Sequence, residues 1–193
     1  GGALHFVDAI SPVISADSID MNTAFFAGRY GKGGDDYLNL PMNEAEFDIF
    51  YNALINADTV KAHEFEDEKV FEKCMPIEVI ASRGRQTLLY GPMRPVGLDD
   101  PRTGRRPFAV VQLRLENKDR TAFNIVGFQT KMTYGAQKEV LTLIPGLKDA
   151  EFLRYGSIHN NTYVEAPKCM GDDQRLKNHS NIYMAGKITG VEG

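Results

Sequence analysis

Residues 108–130 read FAVVQLRLENKDRTAFNIVGFQT, and this stretch decides the fold class. Val111, Leu113 and Leu115 fall on one face of an extended chain, and Gln112 and Arg114 fall on the other. A period of two with one apolar face is the pattern of a half-buried antiparallel strand over 108–117. The run Asn117-Lys118-Asp119-Arg120 supplies a turn, and the chain returns as a second strand over 122–130. Working outward, residues 76–82 and 86–91 are rich in β-branched, aromatic and leucine side chains and read as two more strands. Between the two pairs, GPMRPVGLDDPRTGRRP (91–107) holds too much proline and glycine for regular structure. A long irregular loop inside a compact domain is often functional.

Helices frame this sheet. In NEAEFDIFYNALINA (43–57), Asn43 caps and Glu46 completes a capping box, which predicts a helix over 44–57. Met42 and Phe47 are spaced as a hydrophobic staple, and Phe47, Phe50, Tyr51, Leu54 and Ile55 make one apolar stripe. A shorter helix is expected over 136–144, with Val140, Leu141 and Ile144 inward and Pro145-Gly146 as its stop. The expected class is therefore α+β, a mostly antiparallel sheet with a few helices. ALHFVDAISPV and NIYMAGKITGVEG, near the two ends, are short apolar runs leading into small residues. Residues 1–22 and 151–193 read as parts of a neighbouring domain, and 23–150 as an α/β domain inserted into it.

The chain has 193 residues, 42% hydrophobic and 25% charged, which is ordinary for a soluble globular protein. No apolar stretch approaches the ~20 residues that cross a bilayer. Cys74 and Cys169 lie too far apart in sequence for a disulfide framework or a zinc motif, so a reduced, cytoplasmic chain without a metal site is expected. A net charge of −4 argues against general polyanion binding. Its distribution is uneven, however. Residues 35–72 carry 11 acidic side chains against Lys61 and Lys69, whereas residues 81–120 carry eight arginines and Lys118 against four acidic ones. Arginine's planar fork suits phosphate; the other reading of both halves is a solvated face or mutual ion pairing.

GRYGKGGDD (28–36) lacks the ending and glycine spacing of a phosphate loop and reads as a turn. The four histidines are scattered. Cys74, in FEKCMPIEVIASRGRQ (71–86), is the one credible nucleophile, because Lys73, Arg83 and Arg85 could lower a thiol's pKa. A small packing residue at a strand start is the alternative.

Longer strings carry a family resemblance: DAISPVISADSIDM (8–21), RYGKGGDDYLNLPM (29–42), FEKCMPIEVIASRGRQTLLYGPMRPVGL (71–98), RRPFAVVQLR (105–114), NIVGFQTKM (124–132), IPGLKDAEFLRYG (144–156) and AGKITGVEG (185–193). In these the chain resembles the TrmFO (Gid) family of folate- and FAD-dependent tRNA (uracil-5-)-methyltransferases. The resemblance implies an insertion domain set in a flavin-binding domain. It implies methylenetetrahydrofolate as one-carbon donor, FAD and NAD(P)H as reductants, no S-adenosylmethionine, and ribothymidine in the tRNA T-loop as product.

Cys74 would then be the catalytic or assisting thiol. His159, in HNNTY (159–163), and Gly186 and Gly190 would lie at the flavin and folate. Lys187, Asn160 and Leu40 depart from the glutamine, arginine and cysteine usual in the family. Arg83, Arg85, Arg94, Arg105 and Arg106 are the expected RNA-phosphate contacts. The GxGxxG fingerprint of the family is absent from these residues, so the expectation is a fragment that binds FAD weakly or not at all and does not turn over alone. A non-catalytic tRNA-binding module, or a family relative acting on ribosomal RNA, are the alternatives.

Overall fold

The computed structural model describes residues 3–32, 36–60 and 75–189. These form two compact units, the larger taking residues 9–60 and 75–158 and the smaller residues 3–8 and 159–189.

In chain order the elements are β1 (Ala3–Ile10), β2 (Val13–Ser15), β3 (Phe25–Phe26), β4 (Tyr37–Met42), α1 (Glu44–Ile55), α2 (Ile77–Ser82), α3 (Arg85–Tyr90) and β5 (Ala109–Leu115). There follow β6 (Ala122–Ile125), α4 (Tyr134–Leu141), β7 (Phe152–Arg154), β8 (Ser157–Val164), α5 (Ala166–Cys169), β9 (Arg175–Leu176) and β10 (His179–Tyr183). The expected α+β class is borne out. A six-stranded sheet, in the order β3-β4-β5-β6-β2-β7, forms the larger unit, and every pairing in it is antiparallel.

The capping box forms as read. The Asn43 side chain accepts from the Glu46 amide at 2.9 Å, and the Glu46 carboxylate accepts from the Asn43 amide at 2.8 Å. Phe47, Phe50 and Leu54 are buried, while Ile55 is 42% exposed and lies off the stripe. Helices α2 and α4 both pack against α1. Val140, Leu141 and Ile144 are buried as expected, although α4 begins two residues earlier and ends at Leu141.

Three expectations fail. Residues 76–82 and 86–91 are not strands but the helices α2 and α3. Pro76 presets the first turn, and its carbonyl accepts from the amides of Val79 and Ile80. Gly84, at φ 124°, separates the two helices in a conformation that a residue with a Cβ resists. Ile77 and Ala81 share a buried face at helical spacing, and tertiary burial outweighs the strand preference of isoleucine and valine.

The second correction is to 108–117. Ala109 through Leu113 are all buried, Gln112 included, so β5 is covered on both faces and exposes Arg114. Its partner β6 ends at Ile125, where Gly127 turns the chain at φ 77°.

The third correction concerns domain boundaries. Strands β2 and β7 belong to the large sheet and pair with each other, so residues 9–22 and 151–158 fold with the larger unit. In the smaller unit β1 pairs with β8, β9 pairs antiparallel with β10, and a single helical turn spans Lys187–Thr189.

Candidate RNA-facing site

Cys74 and Gly190 lie outside the described residues, as does Lys73. The backbone just after Cys74 is nevertheless well anchored. The Ile77 amide donates to the Gln129 carbonyl at 2.7 Å. Glu78, 8% exposed, accepts from the Thr130 hydroxyl at 2.9 Å and the Lys131 amide at 2.7 Å. Gln129–Lys131 thus acts as a rail on which the start of α2 is fixed.

The structure does not treat the five expected arginines alike. Arg85 is a structural clamp. Its Nε lies 2.7 Å from Asp48 and its terminal nitrogen 2.9 Å from Glu44, both on α1. Its guanidinium lies 5.2 Å from the centre of the Phe47 ring and 5.0 Å from that of Phe108. Its hydrogen bonds to Asp48, then to Glu44, hold its pKa above the ordinary arginine value. The charge of Arg85 is therefore already matched by two carboxylates, and the ion pairing between acidic and basic halves is realised here.

Arg105 and Arg106 line one open hollow together with Glu44, Glu46 and Asp100. Arg106 also makes a loose 3.8 Å pair with Asp99. The carboxylates make that hollow a poor seat for a polyanion. Arg83, at the end of α2, and Arg94 are exposed and have no acidic partner among the described residues.

The loop 91–107 is held in place by Arg102, which the sequence did not single out. Both Asp100 oxygens accept from its guanidinium, at 2.9 and 2.7 Å, and Arg102 donates in turn to the carbonyls of Asn22 and Thr23. The Arg102 hydrogen bond holds the Asp100 carboxyl below the usual carboxylate range. A depressed carboxyl contributes stability above its unfolded value, near 3.9, and the contribution fades as pH falls through the folded value. Asp100→Asn is therefore expected to cost about 1–2 kcal/mol near neutrality. The gap from the native chain should close as pH falls below about 3.9, read as urea midpoints across that range.

Sequence reasoning also missed Arg29. It lies on a short helical turn, Arg29–Gly31, donating to the Val96 carbonyl at 2.8 Å and to the Gln112 side chain at 2.9 Å. Burial, then the nearby charge of Arg94, lowers its pKa from the ordinary arginine value. The signal was an arginine and a tyrosine set among glycines, which read only as a turn.

Of the expected flavin and folate residues, His159 is on β8 and Gly186 is just before the last helical turn. Gly186 has φ 78°, and apart from its two chain neighbours no described atom lies within 4 Å of where a Cβ would stand. The left-handed backbone there favours glycine. Cys169, on α5, is a free, partly buried thiol. Among the described residues, no group of three or more His, Cys, Asp or Glu side chains is placed to hold a metal ion. No helix among them is long and apolar enough to cross a membrane.

The fold is that of a GidA protein. All of the chain superposes on Aquifex aeolicus GidA with a TM-score of 0.60 at 14% identity, covering 30% of that structure. Sequence comparison is more specific. The chain belongs to the glucose inhibited division protein A family, whose pattern it matches over residues 2–193. It is 57% identical over 190 residues to the methylenetetrahydrofolate–tRNA-(uracil-5-)-methyltransferase TrmFO of Oleidesulfovibrio alaskensis, covering 98% of this chain and 43% of the relative. It is 54% identical to the protein of the same name from Acetivibrio thermocellus, covering all of this chain and 44% of the relative. The resemblance to TrmFO drawn from the sequence is thus borne out, and the chain spans less than half the length of these relatives.

Proposed function

We propose that this chain is the part of a methylenetetrahydrofolate-dependent, FAD-using tRNA (uracil-5-)-methyltransferase that carries Cys74 and the RNA-facing surface. The observation that carries this reading is the 57% identity, sustained over 190 residues, to a relative named for that activity. The product is ribothymidine in the T-loop, and the reductant is NAD(P)H. The enzyme acts in the cytoplasm, without S-adenosylmethionine and without a membrane partner.

The chemistry explains what this chain must supply. Uracil C5 is a weak nucleophile until a group adds at C6 and pushes charge toward C5. A thiolate adds well, and that is the role of Cys74. The α2 start, fixed on Gln129–Lys131, limits where that thiol can reach. When bound, flavin and folate supply the electrons and the one-carbon unit. Gly186 and His159 are this chain's contributions to holding them. Arg83 and Arg94 contact RNA phosphates, and their positions without acidic partners support that role.

The test is an RNA T-arm hairpin carrying 5-fluorouridine at the target position, given to the full-length enzyme. The fluorine at C5 does not leave as a proton does, so the thioether to C6 persists and shows as a slower band on a denaturing gel. Cys74→Ala should abolish the band. A band of undiminished yield and stability in that variant would remove Cys74 from the nucleophile's role.

A further inference from the structure

Two buried amides in the centre of the large sheet serve no apolar packing purpose. Asn39, on β4, is fully buried, and its side-chain NH2 lies 2.9–3.2 Å from the carbonyls of Phe25, Ala27 and Tyr37. Its oxygen accepts from the Gln112 side chain of β5 at 2.9 Å, and the Gln112 oxygen accepts from Arg29 at 2.9 Å. Burying amides is costly unless every group is paired. In this chain of bonds they are paired, and its outer end is one guanidinium set in a fixed plane.

That guanidinium has no carboxylate partner among the described residues. Arg29 bonds the Val96 carbonyl, two residues along the same segment from Arg94, which is exposed and likewise unpaired among the described residues. Beside them stands Tyr30, 64% exposed and in the left-handed region at φ 58°. The Tyr30 amide donates to the Gly97 carbonyl at 2.8 Å. A Cβ at Gly97 would meet the Tyr30 ring at 3.0 Å, so the ring rests directly on that glycine. The 28–32 and 93–98 segments are locked together and present Arg94 and the Tyr30 ring to solvent, with the half-buried Arg29 beside them bonded only to neutral acceptors.

We propose that Arg29, Arg94 and Tyr30 form an RNA-binding subsite, in which the two guanidiniums hold one backbone phosphate and Tyr30 stacks an adjacent unpaired base. Like charges held together without a counter-ion await an oxyanion, and arginine's fork matches one. An exposed, rigidly seated ring beside phosphate-binding cations is the arrangement that grips unpaired nucleotides. The proposal rests on the reading of this protein as an RNA-modifying enzyme.

The test uses the full-length enzyme and a fluorescently labelled T-arm hairpin, with the dissociation constant measured over a series of KCl concentrations. Arg94→Gln, at an exposed position, should weaken binding about 5–20-fold and reduce the slope of log K against log salt by about 0.7–0.9. Arg29→Gln should do the same, and Arg29→Lys, which keeps the charge but not the fork, should recover only part of the affinity. Tyr30→Asn keeps a residue that tolerates the left-handed backbone. It should weaken binding about 5–50-fold and leave the salt slope unchanged. Native affinity and slope in Arg94→Gln, with the native protein binding normally, would overturn the subsite and leave the methyltransferase reading intact. Failure of the native protein to bind the hairpin or form the 5-fluorouridine adduct would overturn both.

Discussion

Phe50→Ala should abolish most of the stability of the larger unit, at a cost of about 3–5 kcal/mol. Phe50 is fully buried on α1, and its ring centre lies 6.1 Å from that of Phe128, also fully buried. Helix α1 packs on both α2 and α4, so a cavity there removes contacts from several elements together. Those elements cannot all close in on the vacancy without giving up the capping box or the sheet register, so little of the loss is recovered. Small domains have only about 5–15 kcal/mol of net stability. Urea unfolding followed by far-ultraviolet circular dichroism should show a midpoint shifted by most of the transition. A midpoint within experimental error of the native one would show that α1 is not the keystone of this core.

Glu78→Ala is expected to be the next most damaging change. It strips the acceptor from the fully buried Thr130 hydroxyl and from the Lys131 amide. A donor left unsatisfied costs about 1–3 kcal/mol, so a loss of about 2–4 kcal/mol is expected. Glu78→Gln should recover about half, because one amide oxygen can still accept while the NH2 group turns toward the other donor. The loss should not be confined to stability. Glu78 fixes the backbone four residues past Cys74, so yield of the 5-fluorouridine adduct should fall in Glu78→Ala even at temperatures where the chain remains folded. Equal adduct yield in folded Glu78→Ala and native protein would separate the anchor from the chemistry.

The legible parts of this fold were those coded locally. Asn43 and Glu46 specify a helix start within four residues, and the helix begins where they put it. The 108–117 alternation is a local signal too, and it located β5. What covers β5 is not local. Gln112 reads as a solvent-facing residue, yet its partners are Asn39, 73 positions away, and Arg29, 83 positions away. The same blindness affected 76–91, where isoleucine, valine, threonine and leucine argued for strands. The helices there depend on Pro76, on Gly84 and on a core that accepts Ile77, Ala81 and Leu88.

The site was legible to a lesser degree. Charge segregation flagged a basic region, but composition cannot show which cations are already spent. Arg85 proves to be committed to Asp48 and Glu44, while Arg29 was hidden in a glycine-rich turn with none of the spacing that marks a phosphate loop. Leu40, which departs from the family's usual cysteine, is fully buried and lies against Gly146, where a Cβ would meet its methyl at 2.9 Å. Its role in this chain is packing.

The antiparallel pairing of β2 with β7, with Val13 opposite Arg154, has a bearing on how such a protein can be assembled. Near residues 13–15 and 152–154 the polypeptide runs on two neighbouring strands of the larger unit, so the sheet itself holds these two passages of the chain together. A module closed in this way is portable. Its paired strands need no spacer to reach each other. Surface loops such as 28–32 and 91–107 are then free to vary without disturbing that join.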